Sequence, residues 1–412
     1  MKILWLCNII LPQVSAELGV PSAVSGGWLS LISEKLSERE NTELCVCFPG
    51  GSLGDRDFTS GKLICRSFSG SSLKERFRKI IKSYDPDIIH IFGTELSHTL
   101  VMLQVCRDRG LLDKTLVTIQ GFAAKCAEAY YADLPGRVVK AYSLRDFLRG
   151  NSIKDQRNDF ADRGEDETQA LKIARNVSGR TAWDEEYVRS LNPDVNYYRC
   201  NETLRAPFYE NKWELSNCER HSIFVAQSNY PLKGFHLALK AMTDIVAEYP
   251  DAILYTTGQD PLKLSFAQTL RQTYYQKYIG KLIKKYKLEN NVVFLGRLDA
   301  EGICGRLLKT NVFVCCSSVE NSPNSLCEAM ILGVPCVSSA VGGISSLAED
   351  KKECLFYKWN RPDKLAAHVK KLFLNEYLAQ KQSAAARERA LKTHDPETNF
   401  STLLSIYDDL KK

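Results

Sequence analysis

The residues best suited to chemistry lie in the segment Ser318–Gly333. Glu320 stands at its start, and seven residues separate Glu320 from Glu328. An apolar run that ends at Cys316 precedes the segment, which predicts a strand, a loop and then a helix that stops at Gly333. The loop would therefore lie at the carboxyl end of a strand and the amino end of a helix. Backbone N–H groups and the helix dipole at that place favour an anion such as a diphosphate.

Between Ser322 and Ala348, Glu328 is the only Asp, Glu, Lys, Arg or His. A carboxylate among apolar neighbours is costly unless it is hydrogen-bonded or paired. A ligand diol, such as the two hydroxyls of a ribose, would supply two donors, whereas the alternative is that Glu328 points from its helix into water. With Glu320 at the start of the loop we favour the ligand. We also expect Ser322 to cap the helix and Pro323 to take its first position.

A second candidate loop ends just before a predicted helix that begins at Phe235. Lys233 would bring an ammonium group beside backbone N–H groups, which suits a phosphate, although a Lys-Gly pair before a helix is also common in solvated turns. A third candidate is Gly26-Gly27, where the backbone could approach a ligand closely or simply turn. No G-x-G-x-x-G pattern follows Cys7 and no P-loop pattern occurs, so the sequence supports neither a nicotinamide dehydrogenase nor a P-loop nucleotidase.

The elements that must position these residues alternate between strands and helices, which predicts βαβ units and parallel sheets. In the first half the predicted strands are Lys2–Cys7, Glu43–Phe48, Ile88–Phe92 and Thr115–Ile119, and the predicted helices are Trp28–Leu36 and Leu73–Tyr84. In the second half the predicted strands are Ser222–Ala226, Ala252–Thr257, Val292–Leu295, Val312–Cys316 and Pro335–Ser338, and the predicted helices are Phe235–Tyr249, Phe266–Lys287 and Leu326–Leu332. We predict two Rossmann-like domains, residues 1–205 and 206–393, and a C-terminal helix in residues 394–412.

The composition excludes several classes of protein. The 412 residues are 44% hydrophobic and 25% charged, which is typical of a soluble globular protein and not of a disordered chain or a fibrous rod. A net charge of +6 is too small to predict a nucleic-acid partner. No apolar run reaches the roughly 18 residues of a transmembrane helix, and the amino terminus reads as a strand and not a signal peptide. The 14 Cys are scattered, and we predict buried thiols in a reducing cytosol for Cys45, Cys47, Cys315, Cys316 and Cys336.

Taken together, these segments resemble the family-4 retaining glycosyltransferases of the GT-B fold, in order and over nearly the whole chain. Glu320 and Glu328 match the E-x7-E element of that family, Lys233-Gly234 matches its phosphate loop, and Gly26-Gly27 matches its amino-terminal glycine pair. Weaker matches are Gly342-Gly343, Asp85–Ile91 and Asn291–Gly296. The resemblance implies an α/β protein with two Rossmann-like domains that face each other across a cleft, and a C-terminal helix that packs back on the first domain.

The resemblance also implies a role for each matching residue. Glu328 would hold the nucleotide ribose, Glu320 would orient the donor sugar, and Lys233 would neutralise the leaving diphosphate, so Glu320 and Lys233 are the predicted catalytic residues. The predicted donor-binding residues are Gly26, Gly27, Lys233, Gly234, Arg297, Glu320, Asn321, Ser322, Pro323, Asn324, Ser325, Leu326 and Glu328. Acceptor-side candidates are Glu95, His98, Gln120 and Lys125. No metal or other cofactor is expected, because a lysine and helix amino termini would stabilise the anion.

Two positions depart from the family pattern. Ser228 stands where the family usually has Arg, so either Gln227, Arg297 or another basic residue compensates, or the donor differs. Gln120-Gly121 stands where the family often has His-Gly, which leaves the acceptor-side residue open.

The expected activity is transfer of a sugar, with retention, from a UDP- or GDP-sugar to a sugar or lipid-linked acceptor in polysaccharide or glycolipid synthesis. We expect a cytoplasmic protein, peripheral at the inner face of the cell membrane if the basic amphipathic helix Leu73–Tyr84 rests on anionic lipid; the apolar side of this helix could instead face the core. The alternatives are a nucleotide-sugar epimerase of the same fold and a catalytically silent nucleotide-sugar-binding protein.

Overall fold

The computed structural model describes residues 1–20, 27–70 and 72–412. They divide into two compact units: unit 1 contains Met1–Ala124, Asp162–Leu204 and His394–Lys412, and unit 2 contains Lys125–Ala161 and Arg205–Thr393. The domain limits drawn from the sequence, 1–205, 206–393 and 394–412, stay predictions. Residues 125–161 group with unit 2 because Tyr130, Leu134, Val138 and Ile153 join its hydrophobic core.

With one exception, the predicted strands and helices form within a few residues of their expected ends. The strands are β1 (Lys2–Leu6), β2 (Glu43–Pro49), β3 (Asp57–Ser60), β4 (Leu63–Phe68), β5 (Ile88–Phe92), β6 (Thr115–Thr118), β7 (Asn176–Gly179), β8 (Asn196–Arg199), β9 (Ser222–Val225), β10 (Ile253–Thr256), β11 (Val292–Phe294), β12 (Val312–Cys315), β13 (Cys336–Ser339) and β14 (Leu355–Tyr357). The helices are α1 (Pro12–Leu18), α2 (Gly27–Glu38), α3 (Leu73–Tyr84), α4 (Ser97–Asp108), α5 (Ala123–Ala129), α6 (Gly136–Val139), α7 (Leu144–Arg149), α8 (Ile153–Ile173), α9 (Ala182–Leu191), α10 (Pro207–Glu210), α11 (Phe235–Val246), α12 (Phe266–Leu270), α13 (Tyr274–Lys285), α14 (Ala300–Leu308), α15 (Asn324–Leu332), α16 (Ile344–Leu347), α17 (Pro362–Leu374), α18 (Glu376–Thr393) and α19 (Pro396–Lys411).

The prediction of one continuous helix over Phe266–Lys287 is wrong, because this stretch forms the two helices α12 and α13. Each begins with its own capping box: the side chain of Ser265 accepts from the N–H of Gln268, and that of Thr273 accepts from the N–H of Gln276. A second capping box inside a periodic segment ends one helix and starts the next.

In the described part of unit 1, the strands form one eight-stranded sheet of order β3-β4-β2-β1-β5-β6-β7-β8. All neighbours are parallel except β3 and β4. Alternate residues of β1 belong to two different cores: Ile3 and Trp5 to one, Leu4 and Leu6 to the other. The sheet is therefore buried on both faces, as the continuous apolar runs of parallel strands predict.

The amphipathic helix α3 forms over the predicted residues, and it faces the core. Phe77, Ile80, Ile81 and Tyr84 are all buried in the core of unit 1. The apolar face of α3 therefore cannot enter a lipid surface, and of the two interpretations of this helix the structure supports the core-facing one.

The C-terminal helix α19 packs within unit 1, as the sequence predicts. The buried hydroxyl of Tyr407 accepts a hydrogen bond of 3.0 Å from Trp5 Nε1 and lies 2.6 Å from Nδ1 of His90. Burial lowers the pKa of His90 to about 3, so the ring is neutral and Nδ1 accepts from the Tyr407 hydroxyl. His90 Nε2 then donates to Thr118 Oγ1 at 2.6 Å, so one chain of hydrogen bonds joins α19 to β1, β5 and β6.

In unit 2, the described residues form a parallel six-stranded sheet of order β11-β10-β9-β12-β13-β14. The chain moves outward from β9 through β10 to β11, and later returns to the other side of β9 with β12. The strand order thus reverses between β9 and β12, and ligands of open α/β sheets bind outside the carboxyl ends of strands at such a point. The loops that follow β9 and β12 carry Lys233 and Glu320.

Candidate active site

Lys233 and Glu320 come together in unit 2, although 87 positions separate them in the chain. The Nζ atom of Lys233 lies 2.5 Å from Oε1 of Glu320, and the hydroxyl of Ser317 donates to the same oxygen at 2.6 Å. Both ion-pair side chains remain partly exposed, 24% for Lys233 and 12% for Glu320. Burial alone would lower the pKa of Lys233, but the Glu320 carboxylate raises it overall, so this lysine stays positively charged.

The two loops are held against each other by backbone contacts. The N–H of Ser318 donates to the carbonyl of Leu232 at 2.8 Å, and Gly234 has a left-handed conformation with φ of 67°. A Cβ atom on Gly234 would lie 1.9 Å from the carbonyl oxygen of Cys316. Only glycine fits there, because both the φ angle and the close approach exclude a side chain.

The predicted glycine pair Gly342-Gly343 supports the other loop. The N–H of Gly343 donates to the carbonyl of Glu320 at 3.1 Å, and a Cβ atom on Gly342 would lie 1.9 Å from that same oxygen. The backbone of Glu320 is therefore fixed on one side by Gly342-Gly343, and its carboxylate is fixed on the other by Lys233.

Helix α15 begins at Asn324, two residues before the predicted start at Leu326 and one residue after the first helical position expected for Pro323. Its N-cap is Pro323 and its first residue is Asn324, so the predictions that Ser322 caps the helix and that Pro323 takes its first position are wrong. A proline cap supplies no side-chain acceptor, and in the described part of the chain the buried Ser322 Oγ and Asn324 Oδ1 have no hydrogen-bond partner. The Ser322 hydroxyl and the orphan N–H groups of a helix start could donate to a bound anion, and Asn324 Oδ1 could accept from a sugar hydroxyl.

The other residues predicted for this loop differ in what they can offer a ligand. The side chain of Asn321 is buried, and Ser325 is partly exposed on the first turn of α15. Leu326 is fully buried, and its N–H already donates to the carbonyl of Pro323 at 3.0 Å. The N–H of Leu326 could therefore bind the nucleotide-sugar only if that hydrogen bond broke.

Glu328 is 4% exposed, so the alternative in which it points into water is wrong. It is also not isolated: its two oxygens each accept a hydrogen bond of 2.8 Å from Arg205, one from Nε and one from Nη2. The Arg205 guanidinium also lies 5.0 Å from the centre of the Phe208 ring. Burial raises the pKa of Glu328 while Arg205 acts against that rise, so the pair keeps the carboxylate in its ionised form more readily than burial alone would allow.

Sequence reasoning missed Arg205. The residue lies 123 positions before Glu328, in a stretch without regular periodicity. The only available signal was chemical, since a buried carboxylate requires a partner and Arg is the usual bidentate one. A partner inside the protein does not exclude a ligand diol, because a carboxylate can accept about four hydrogen bonds and Arg205 uses two of them.

The position that lacks the family's arginine is filled by a structural serine. Ser228 is buried, and its hydroxyl donates to the carbonyl of Thr257 at 2.9 Å. Of the compensating residues named from the sequence, Gln227 and Arg297 are both exposed. Arg297 directly follows Gly296, which has a φ of 71° and pairs with Gly258 beyond the ends of β10 and β11.

The described candidates in the first half of the chain have different partners. Gly26 lies outside the described residues, and Gly27 is the first residue of α2. Gln120 offers its carbonyl to Arg180 at 3.2 Å, whereas Lys125 belongs to unit 2 and pairs with Glu128 at 3.0 Å.

Glu95 and His98 are joined through Asn8 at the carboxyl ends of β1 and β5. His98 Nε2 donates to Asn8 Oδ1 at 3.0 Å, and Asn8 Nδ2 donates to Glu95 Oε1 at 2.8 Å. Burial raises the pKa of Glu95 and lowers that of His98 to about 4. Gly93, with a φ of 90°, leaves room for this network, because a Cβ atom there would lie 2.4 Å from Asn8 Nδ2.

Within residues 1–20, 27–70 and 72–412, no cluster of three or more His, Cys, Asp or Glu side chains is arranged to hold a metal ion. Among the same residues, no helix combines the length and the apolar character that crossing a membrane requires. The five cysteines predicted to be buried thiols are buried and free.

Residues 207–389, which contain Lys233, Glu320 and Glu328, match the family "Glycosyl transferases group 1". The N-acetyl-alpha-D-glucosaminyl L-malate synthase of Bacillus anthracis is 26% identical over 200 residues, which are 48% of this chain and 48% of that protein. The chain spans about half the length of the curated relatives it matches.

Solved structures match over the whole chain. Sucrose-phosphate synthase from Thermosynechococcus elongatus superposes with a TM-score of 0.72 at 16% identity, over 100% of this chain and 99% of that one. HepE from Anabaena in complex with UDP-glucose superposes with a TM-score of 0.67 at 16% identity, over 99% of each chain. These likenesses confirm the GT-B fold that the sequence predicts.

Proposed function

We propose that this chain, whose residues 207–389 match the group 1 glycosyl transferases and which has the GT-B fold, transfers a sugar from a nucleotide-sugar to an acceptor hydroxyl. The observation that carries the proposal is the position of Lys233 and Glu320 at the strand-order reversal of unit 2, with Glu328 buried on the helix that follows. To bind a nucleoside diphosphate sugar, a site needs a cation and helix N-terminal N–H groups for the diphosphate, and carboxylates for the sugar hydroxyls.

The donor we propose is a UDP-sugar. HepE was solved with UDP-glucose, and the GT-B fold is common to both chains, which supports this choice over a GDP-sugar. Glu328 would accept hydrogen bonds from the ribose hydroxyls and Arg297 would flank the base. Ser322, Asn324 and the first N–H groups of α15 would bind the diphosphate or sugar.

In the proposed reaction the acceptor oxygen attacks the anomeric carbon as the bond from that carbon to the diphosphate oxygen breaks. The acceptor proton passes to the departing phosphate on the same face, so the configuration is retained. Lys233 would neutralise the charge that develops on the leaving group, and Glu320 would orient the sugar hydroxyls. We propose that this lysine and the N–H groups of α15 provide the anion stabilisation without a metal ion.

On the acceptor side we propose a polysaccharide repeat or glycolipid on a membrane lipid, used at the inner face of the cell membrane. Glu95 and His98 are the acceptor-side candidates that one hydrogen-bond network already positions, and Gln120 remains a third. Lys125 is a weaker candidate because its ammonium is paired with Glu128.

A catalytically silent nucleotide-sugar-binding protein is the second candidate, and the structural role of Ser228 favours it, since that position supplies no positive charge.

The experiment that distinguishes a glycosyltransferase from a silent binding protein measures both binding and turnover. A thermal-shift panel of UDP- and GDP-sugars identifies the donor, because a ligand that binds only the folded state raises its melting temperature. Release of UDP and glycosylation of added acceptor are then followed with the best donor.

We expect Glu320→Ala to lose turnover while it still binds the nucleotide. Equal turnover by this variant, or no nucleotide-sugar that raises the melting temperature, would refute the proposed reaction. Product formed from the donor without any acceptor would point to an epimerase.

A further inference from the structure

Helix α7 exposes its apolar side chains, whereas its one acidic side chain, Asp146, is buried. Leu144, Phe147 and Leu148 on this helix, and Tyr142 just before it, are between 57% and 72% exposed, and we call these four residues the α7 patch. The rings of Tyr142 and Phe147 stack with their centres 5.9 Å apart. Contiguous exposed apolar side chains of this kind mark an interaction surface more often than chance exposure does.

The orientation of α7 is fixed by its polar residues. Ser143 and Asp146 form a capping box and are both buried, and Asp146 Oδ2 also accepts a hydrogen bond of 2.7 Å from the N–H of Tyr274 at the start of α13. Gly150 then ends the helix in the left-handed conformation. Because the polar side is tied to α13, the apolar side cannot turn inward, and its exposure is built into the fold of unit 2.

The segment that carries the α7 patch is basic. The segment Gly136–Arg149 contains Arg137, Lys140, Arg145 and Arg149, and its single acidic residue is the buried Asp146. In the described part of the chain, the one ion pair of this segment joins Arg145 to Asp146 at 3.4 Å. Exposed apolar side chains in a basic segment complement an anionic lipid surface, whereas a second copy of the same basic surface would be repelled.

We propose that the α7 patch is the membrane-contact surface of this protein, with Phe147 and Leu148 entering the boundary between headgroups and acyl chains of an anionic bilayer. Lys140 and Arg149 contact the lipid phosphates. This inference deepens the proposed function, whose lipid-linked acceptor lies at such a surface. It replaces α3 as the contact element, because the apolar residues of α3 are already used in the core.

The test is co-sedimentation of the full chain with vesicles of phosphatidylcholine and phosphatidylglycerol at low salt, compared with phosphatidylcholine alone. We expect binding to the anionic vesicles only. The double variant Phe147→Ser/Leu148→Ser should bind at least about tenfold more weakly because two exposed apolar side chains are lost. Arg149→Glu should weaken binding at least about fivefold, and more at low salt than at high salt.

Two controls match these variants. Leu374→Ser/Tyr377→Ser removes apolar side chains that are 80% and 75% exposed elsewhere in unit 2, and Lys79→Glu reverses a charge on α3. Both should bind vesicles as the parent does, and all variants should keep the parent melting temperature and UDP affinity. Because UDP affinity should be retained, the vesicle test does not depend on the donor site. A negative vesicle result would therefore not contradict the proposed reaction.

Three outcomes would overturn the inference. The parent protein could ignore anionic vesicles, the α7 variants could bind as well as the parent, or Lys79→Glu alone could abolish binding. If the parent is a dimer in solution and Phe147→Ser/Leu148→Ser makes it a monomer without changing vesicle binding, the α7 patch is a self-association surface instead.

Discussion

At the scale of single residues, two ion pairs define the candidate donor site. Lys233 pairs with Glu320 and Arg205 pairs with Glu328, and each pair places one acid that the sequence predicts to touch the donor. The pairs differ in burial: Lys233 and Glu320 are partly open to solvent, whereas Glu328 is nearly inaccessible. We infer that the first pair is available for chemistry and that the second fixes the geometry of a binding carboxylate.

Replacing Lys233 with Met should lower kcat by about 100-fold or more while KM for the donor changes far less, because the charge on the leaving diphosphate grows most in the transition state. Steady-state kinetics with the donor found in the thermal-shift panel measures this. Lys233→Arg keeps the charge and should recover part of the rate. A variant that raises only KM would mean that Lys233 binds the ground state and does not assist departure.

Arg205 should act as a positioning residue whose removal changes the pH profile of nucleotide binding. Burial raises the pKa of Glu328 and Arg205 opposes that rise, so Arg205→Ala should raise this pKa further. Because only the ionised carboxylate accepts hydrogen bonds from both ribose hydroxyls, UDP affinity should then begin to fall at a higher pH than in the parent as the solution is acidified. Calorimetric titrations across the acidic range measure this.

Two results bear on the role of Arg205. Arg205→Lys keeps one charged donor and should return the profile most of the way to that of the parent. An Arg205→Ala variant with weaker binding but an unchanged pH profile would show that Arg205 acts on the nucleotide directly.

The sequence predicts those features of the site that depend only on residue type and on spacing along the chain. Glu328 was predicted to be buried because it stands alone among apolar residues, and it is buried. Its partner Arg205 was not readable, since contacts over 123 positions depend on how the chain folds and not on local pattern. The failed cap at Ser322 has a local cause: Pro323 takes the N-cap position, so the helix starts one residue later.

At the scale of elements, glycines decide how closely the two active-site loops approach. Gly234 and Gly342 both place backbone against a carbonyl oxygen with no room for a side chain. The strand and helix pattern was predictable because it rests on apolar periodicity. Both capping boxes, at the starts of α12 and α13, are also present in the sequence, and here local hydrogen bonding overrides apolar periodicity.

Gly234→Ala should destabilise the protein by more than about 2 kcal/mol, because it adds a steric clash to the strain of a positive φ angle. Gly296→Ala is the matched control, since Gly296 has a similar φ of 71° but no atom lies within 4 Å of the place that its Cβ atom would take. The control should lose only about 1 kcal/mol from backbone strain. Urea unfolding of both variants measures the difference, and equal losses would show that the approach to Cys316 is not tight.

At the scale of the whole molecule, each unit draws on distant parts of the chain. Helix α19 completes unit 1 through Tyr407, and residues 125–161 complete unit 2. The first of these was predicted from the resemblance. The grouping of residues 125–161 with unit 2 was not predicted, because local apolar periodicity does not show which core a segment will join.

Tyr407→Phe should lower the free energy of unfolding by about 1–3 kcal/mol, since it leaves buried groups of Trp5 and His90 without their shared partner. UDP affinity should stay within about twofold of the parent because Lys233, Glu320 and Glu328 all lie in unit 2. Tyr131→Phe, at a partly exposed tyrosine, is the control and should change neither quantity. A loss of UDP affinity together with stability would contradict this separation.

The most direct measurement compares the dissociation constants of UDP and 2′-deoxy-UDP for the parent, Glu328→Gln and, as a matched buried carboxylate outside the site, Glu353→Gln. If Glu328 holds the ribose, the parent and Glu353→Gln should prefer UDP by about tenfold or more, and Glu328→Gln should reduce that preference to about twofold or threefold. An undiminished preference in Glu328→Gln, or a parent that binds the two nucleotides equally, would contradict the ribose role and with it the assignment of the donor site.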